Sequence, residues 1–208
     1  MKLPTREQCE KYFETYHALD NIKAHCYMVN KVTMFIARKL VQSGEKINLD
    51  LVDRLSLLHD LFKPVVIKNI VTDETFKCHP TPEQIKFWKE MQVKYPDKHE
   101  TEVFYEEFKH IFSEFAALML HYGDHDIFTT EKTREEQIVH YADWRVHLNT
   151  IISLKKRTDD LFVRYNQKIM SHPLGKLQWD KRVADEFAVE KSLFKKLDIV
   201  PSDVEWLL

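Results

Sequence analysis

The chain has 208 residues, a length that supports one full hydrophobic core, and a single domain spanning 1–208 is expected. Its composition, 44% apolar and 31% charged, is that of a soluble globular protein, and a net charge of −2 supplies no basic field for extended nucleic-acid binding. The isolated Gly44, Gly123 and Gly175 cannot build a phosphate-binding loop or a dinucleotide fingerprint, and Cys9, Cys26 and Cys78 show no paired spacing for a disulfide framework. The start "MKLPTREQCE" has no apolar leader core, and no apolar run approaches membrane-spanning length, so a reduced, cytoplasmic protein with no membrane partner is expected.

Periodicity is helical almost throughout, with no alternating strand. Thr5 opens a first helix that runs to about Leu19. A second runs from Asp20, a capping residue, to Gly44. Asn48 caps a third, which Pro64 ends. Thr81 and Glu83 make a capping-box-like start for "TPEQIKFWKEMQVKYP". Helices over about His99–Phe112 and Ser113–Tyr122 follow, the second stopped by Gly123. One long helix is expected from Thr133 to about Ser171, and "KLQWDKRVADEFAVEKSLFKKL" forms the last. The fold class is all-α.

Several of these helices carry polar residues on apolar stripes. His25 lies on the stripe of Ile22, Val29, Val32, Ile36 and Leu40. His59 shares a face with Val52, Leu55 and Phe62, and Asp60 stands one step round. Asp143 falls between Val139 and Val146, and His121 ends an almost wholly apolar helix. Taken singly, each has a plainer reading as a hydrogen-bonded core histidine or an inward aspartate capping a neighbour. Four such sites on four helices favour a shared cation, because imidazole and carboxylate suit zinc, iron or manganese and buried carboxylates need neutralising.

The order His25 … His59-Asp60 … Asp143 resembles the HD superfamily of metal-dependent phosphohydrolases. "LLHDLFK" is similar to that family's "LLHDIGK", with Phe62 in place of glycine. "NIKAHCYMVNKVTMFIARKL" resembles its first-histidine helix and "YADWRV" its closing motif. The likeness covers about residues 20–165 and runs through "ISLKKRTDDLFVRY", similar to the tail of a prokaryotic HD subgroup of poorly defined activity. A C-terminal helical extension, 166–208, follows. His99, 22 residues ahead of His121, resembles the branch that adds two histidines for a second metal, including diadenosine polyphosphate hydrolases and some cyclic-dinucleotide phosphodiesterases. His125 competes with His121 but reads more simply as a surface turn.

The resemblance implies an HD-type helical bundle with a metal site between helices. It implies one or two divalent transition metal ions (Fe, Mn, Zn, Co or Ni) on His25, His59, Asp60 and Asp143, with His99 and His121 completing a second site. The implied activity is hydrolysis of a phosphate ester or anhydride of a small nucleotide-like substrate by metal-activated water. Asp60 would bridge or orient that water, Lys63 would reach the phosphate, and Arg145 would clamp it. For Lys63 the alternative is a snorkelling surface lysine, and for Arg145 a salt bridge to a helix neighbour. The alternative for the whole chain is a nucleotide-sensing module with little or no turnover. Phe87, Trp88 and Lys89 are candidates for a lid, against a plainer role in helix packing. "SLKKRTDD" reads as a solvated helix face.

Overall fold

Thr5 caps the first helix through a reciprocal capping box with Gln8, as its sequence position predicts. The computed structural model describes residues 1–123 and 131–207. The chain forms α1 (Arg6–Thr15), α2 (Asp20–Gln42), α3 (Leu49–Leu58), α4 (Pro82–Lys94), α5 (Glu100–Phe108), α6 (Ser113–Tyr122) and α7 (Arg134–Trp144). Two short strands, β1 (Val146–His147) and β2 (Thr150–Ile151), precede α8 (Leu154–Ser171), α9 (Gly175–Phe194) and the one-turn α10 (Val204–Leu207). Among the described residues no helix is long and apolar enough to cross a membrane.

The core is built by α2, α3 and α7, which pack on one another. Val29, Val32, Ile36 and Leu40 of α2 meet Val52 and Leu55 of α3 and Ile138, Val139 and Ala142 of α7, all fully buried. α1 packs on α3, α5 pairs with α6, and α8 and α9 form a second helical pair beside α7. Phe62 fills a second apolar nucleus. It is 1% exposed and meets Tyr16, Trp88, Phe104 and Phe108 edge-on at ring-centroid distances of 4.8–6.3 Å. Its φ of −98° makes no demand for glycine, so a large side chain is accommodated where the resembled motif has none.

Several boundaries differ from the expectation. Asp20 is the first residue of α2, and Leu19 holds the cap position without a side-chain bond. The capping box of α4 pairs Thr81 with Gln84, not Glu83, because the reciprocal bond needs the third residue after the cap. α3 ends at Leu58, so His59 and Asp60 lie in the turns that follow, and Pro64 sits inside a 3₁₀ turn over Lys63–Val66. The expected long helix over 133–171 is interrupted after Trp144 by the β1–β2 hairpin, with Val146 opposite Ile151 and His147 opposite Thr150. Leu148 takes a left-handed φ of 56°, which suits a two-residue hairpin loop and cannot continue a helix. Neither Gly nor Pro lies between 133 and 171 to mark that break, whose local signals are the β-branched run Thr150-Ile151-Ile152 and Ser153, which caps α8.

Candidate metal centre

The second turn of α2 presents His25, the turn that follows α3 presents His59 and Asp60, and the last turn of α7 presents Asp143. His25 Nε2 lies 2.9 Å from Asp143 Oδ1 and 3.9 Å from Asp60 Oδ2. His59 Nε2 lies 3.8 Å from each of the same two oxygens. One ligand atom each from His25, His59 and Asp143 falls within 4.8 Å of the others. With metal–ligand bonds of about 2.1 Å, atoms sharing a tetrahedral or octahedral shell stand roughly 3.0–4.2 Å apart, which matches the separations of the two imidazole nitrogens from the Asp143 oxygen. Asp60 lies beside this group of three, near the imidazoles but not part of it.

The outer nitrogens decide how the rings face. His25 Nδ1 is 2.8 Å from the Leu148 carbonyl oxygen, and His59 Nδ1 is 2.8 Å from that of Ser56. A neutral imidazole has one N–H, and donating it from Nδ1 leaves the Nε2 lone pair facing inward. At His25 that lone pair would meet a carboxylate oxygen, an arrangement resolved by a cation between them. His59 Nε2 is buried and has no hydrogen-bond partner among the described residues. Such backbone anchoring of Nδ1 is how metal-binding histidines are oriented. The left-handed hairpin residue, Leu148, thus delivers the carbonyl that aims His25.

Asp53 provides the internal contrast. This buried carboxylate is held by the guanidiniums of Arg6 and Arg54 and by Asn30 Nδ2 at 3.0 Å, so protein cations satisfy it. Asp143 is instead approached by two imidazoles, His25 Nε2 at 2.9 Å and His59 Nε2 at 3.8 Å. Burial is the largest single influence on His59 and opposes its charge, but Asp60, Cys26 and Asp143 together outweigh it and hold the imidazole well above its ordinary pKa. At Asp143 burial is likewise opposed, and the imidazoles keep the carboxyl well below its ordinary range. Asp60 is lowered against the same burial penalty, chiefly by Lys63 and then His59. The cluster already attracts positive charge, and the donor set fits a borderline divalent metal.

This cluster lies at the wall of a cavity of about 760 Å³ that also takes in Lys63, His99, Tyr122, His140 and residues of α8 and α9. Lys63 Nζ is 2.7 Å from Glu100 Oε1 and 3.8 Å from Asp60 Oδ1, and Asp60 foremost raises its pKa. His99 caps α5 and its Nε2 is 3.2 Å from Glu100 Oε2, on the cavity wall but outside the ligand cluster. His121 Nδ1 is 2.6 Å from Glu136 Oε1, and the residue does not line the cavity. The structure thus does not bring His99 and His121 together with the cluster. Arg145 is turned inward: 1% exposed, it donates to the carbonyls of Ile152 and Pro201 and pairs with Glu205 at 3.3 Å. That is the salt-bridged alternative, although its partners come from the C-terminal end of the chain. His125 lies outside the described residues.

α4 packs rather than covers. Trp88 is fully buried, with Nε1 donating to the His17 carbonyl oxygen at 3.0 Å. The preceding loop lines the cavity instead, through Val71, Asp73, Phe76 and Cys78. Sequence reasoning missed His140, Arg157, Arg164 and Arg182, all on the cavity wall. Arg157, Leu161, Arg164 and Tyr165 recur at helical spacing on one face of α8, a signal available in the sequence.

No family model matches the chain, no curated protein matches it, and no solved structure matches it.

Proposed function

We propose that the protein is a metal-dependent phosphohydrolase acting on a phosphate ester or anhydride of a small nucleotide-like molecule. The observation that carries this reading is the inward convergence of His25 Nε2 and His59 Nε2 on Asp60 and Asp143, with each Nδ1 anchored to a backbone carbonyl. His25, His59, Asp60 and Asp143 would hold a divalent transition metal. When bound, such an ion supplies Lewis acidity to a phosphoryl oxygen and an acidified water.

The chain's own groups divide the remaining work. Asp60 stands 3.8 Å from both His59 Nε2 and Lys63 Nζ, placed to accept a proton from an attacking water. Lys63, on the cavity wall, offers a compact positive charge to phosphate oxygens, and Glu100 holds its ammonium in place. The partly apolar wall reduces water around the reacting group and strengthens these interactions.

Phosphate release from a panel of nucleoside mono-, di- and triphosphates, with and without added manganese, tests this reading in the wild-type protein and in Asp60→Asn. Manganese-dependent release that falls by at least about 100-fold in the variant is expected. Binding without release from any member of the panel would overturn hydrolysis and favour nucleotide sensing.

A further inference from the structure

Resting on the hydrolase reading, we propose that Arg157 and Arg164 of α8, with Arg182 of α9, form a subsite for an oligophosphate chain. The substrate class is then a nucleoside di- or triphosphate rather than a monoester. All three arginines line the cavity that His25, His59, Asp60 and Asp143 also line.

At Arg157 and Arg164 the positive charge is incompletely matched. Arg157 Nη1 lies 3.3 Å from Asp160 Oδ2, the same oxygen that Arg164 engages and that stands 3.4 Å from His147 Nδ1. One carboxylate therefore serves two guanidiniums and an imidazole. The other acids on the cavity wall face other groups: Glu100 binds Lys63, Asp73 accepts backbone N–H groups of its own turn, Asp60 and Asp143 face the imidazoles, and Asp143 together with Glu186 also acts on Arg182. Arg157 Nε is buried and has no hydrogen-bond partner among the described residues, so the guanidinium as a whole is incompletely satisfied. Planar guanidiniums suit phosphate oxygens because they offer paired donors.

The surroundings favour a nucleotide over a bare phosphate chain. Arg164 lies over the Phe76 ring at 5.9 Å and Arg182 over Trp144 at 5.5 Å, which fixes both cations against aromatic faces. Phe76 and Tyr165 are substantially exposed at this cavity and present apolar surface to a base. A volume of about 760 Å³ accommodates a ligand of nucleotide size.

Calorimetric titration of the manganese-loaded protein with a methylene-bridged, non-hydrolysable adenosine triphosphate, with adenosine monophosphate and with inorganic tripolyphosphate tests this. The wild type should bind the triphosphate more tightly than the monophosphate, with affinity falling as salt rises. Arg157→Gln and Arg164→Gln, checked for unchanged thermal melting, should each weaken the triphosphate by about 10- to 100-fold and the monophosphate by less than about 2-fold. The lysine variants at both positions should recover part of that loss. Tripolyphosphate binding as tightly as the nucleotide would overturn the nucleoside part of the class. Equal loss for mono- and triphosphate, or none, would overturn the subsite. If the glutamine variants fail to fold, a wild type without triphosphate preference overturns it as well. Arginine-dependent binding with no phosphate release would instead sink the hydrolase reading and leave the subsite standing.

Discussion

Asp143, partly buried, is neighboured by two imidazoles where the more deeply buried Asp53 has two guanidiniums. Replacing it with Asn keeps the shape and removes the charge. Asp143→Asn is expected to weaken divalent-metal binding by more than about 100-fold, read by competition with a chromogenic chelator. Unchanged affinity would remove Asp143 from the centre. Arg145 carries the opposite prediction. Its guanidinium holds two carbonyls and Glu205, so Arg145→Ala should lower stability by about 3 kcal/mol in urea unfolding while leaving metal affinity intact. His25, His59 and Asp143 stand out in the sequence because each interrupts an apolar stripe, and Asp60 stands out as the neighbour of His59, one step round the helix. The setting of Arg145 does not show in the sequence for an equally physical reason: beside the local Tyr141 and Ile152, its partners Pro201 and Glu205 lie far along the chain and leave no local pattern.

At the scale of elements, caps and apolar spacing placed most helices correctly. Thr5, Asn48, Thr81 and Thr133 all cap as their chemistry requires. The turn of the β1–β2 hairpin was not legible, because it rests on a left-handed leucine whose conformation is set by tertiary packing. The arginine face of α8 reads as solvated in the sequence because its partner, the cavity, forms only once distant elements pack. Gly123 marks where α6 must stop close to α5. A Cβ there would overlap Thr101 Oγ1, beside the helix cap at His99. Gly123→Ala should therefore cost about 1–3 kcal/mol, seen as a lower urea midpoint with an unchanged m-value. A neutral result would mean that the α5–α6 approach is looser than the geometry indicates.

For the whole molecule, stability without metal should depend on pH through the same cluster. The His59 pKa is raised in the fold, so its contribution is full below the unfolded value near 6.5 and is lost as pH rises through the elevated folded value. The Asp143 pKa is lowered, so its contribution is present above about 3.9 and is lost as pH falls through the depressed folded value. Metal-free protein should thus be most stable in the weakly acidic range between them. Metal competes with protons for the imidazoles, so the stabilisation it brings should grow from about pH 5 to about pH 8. Thermal melts of chelator-treated and manganese-loaded protein across that range check this, and superimposable profiles would contradict it.

Helices that are remote in sequence bring His25, His59 and Asp143 together, with Asp60 beside the two imidazoles, and the proposed function requires this cluster to hold a cation. Elemental analysis of protein purified without chelator, beside a His59→Ala, Asp143→Asn double variant of demonstrated fold, measures that arrangement most directly. At least one divalent transition metal ion per chain is predicted in the wild type and essentially none in the variant. A metal-free wild type that also takes up no ion from a metal-replete buffer would contradict it.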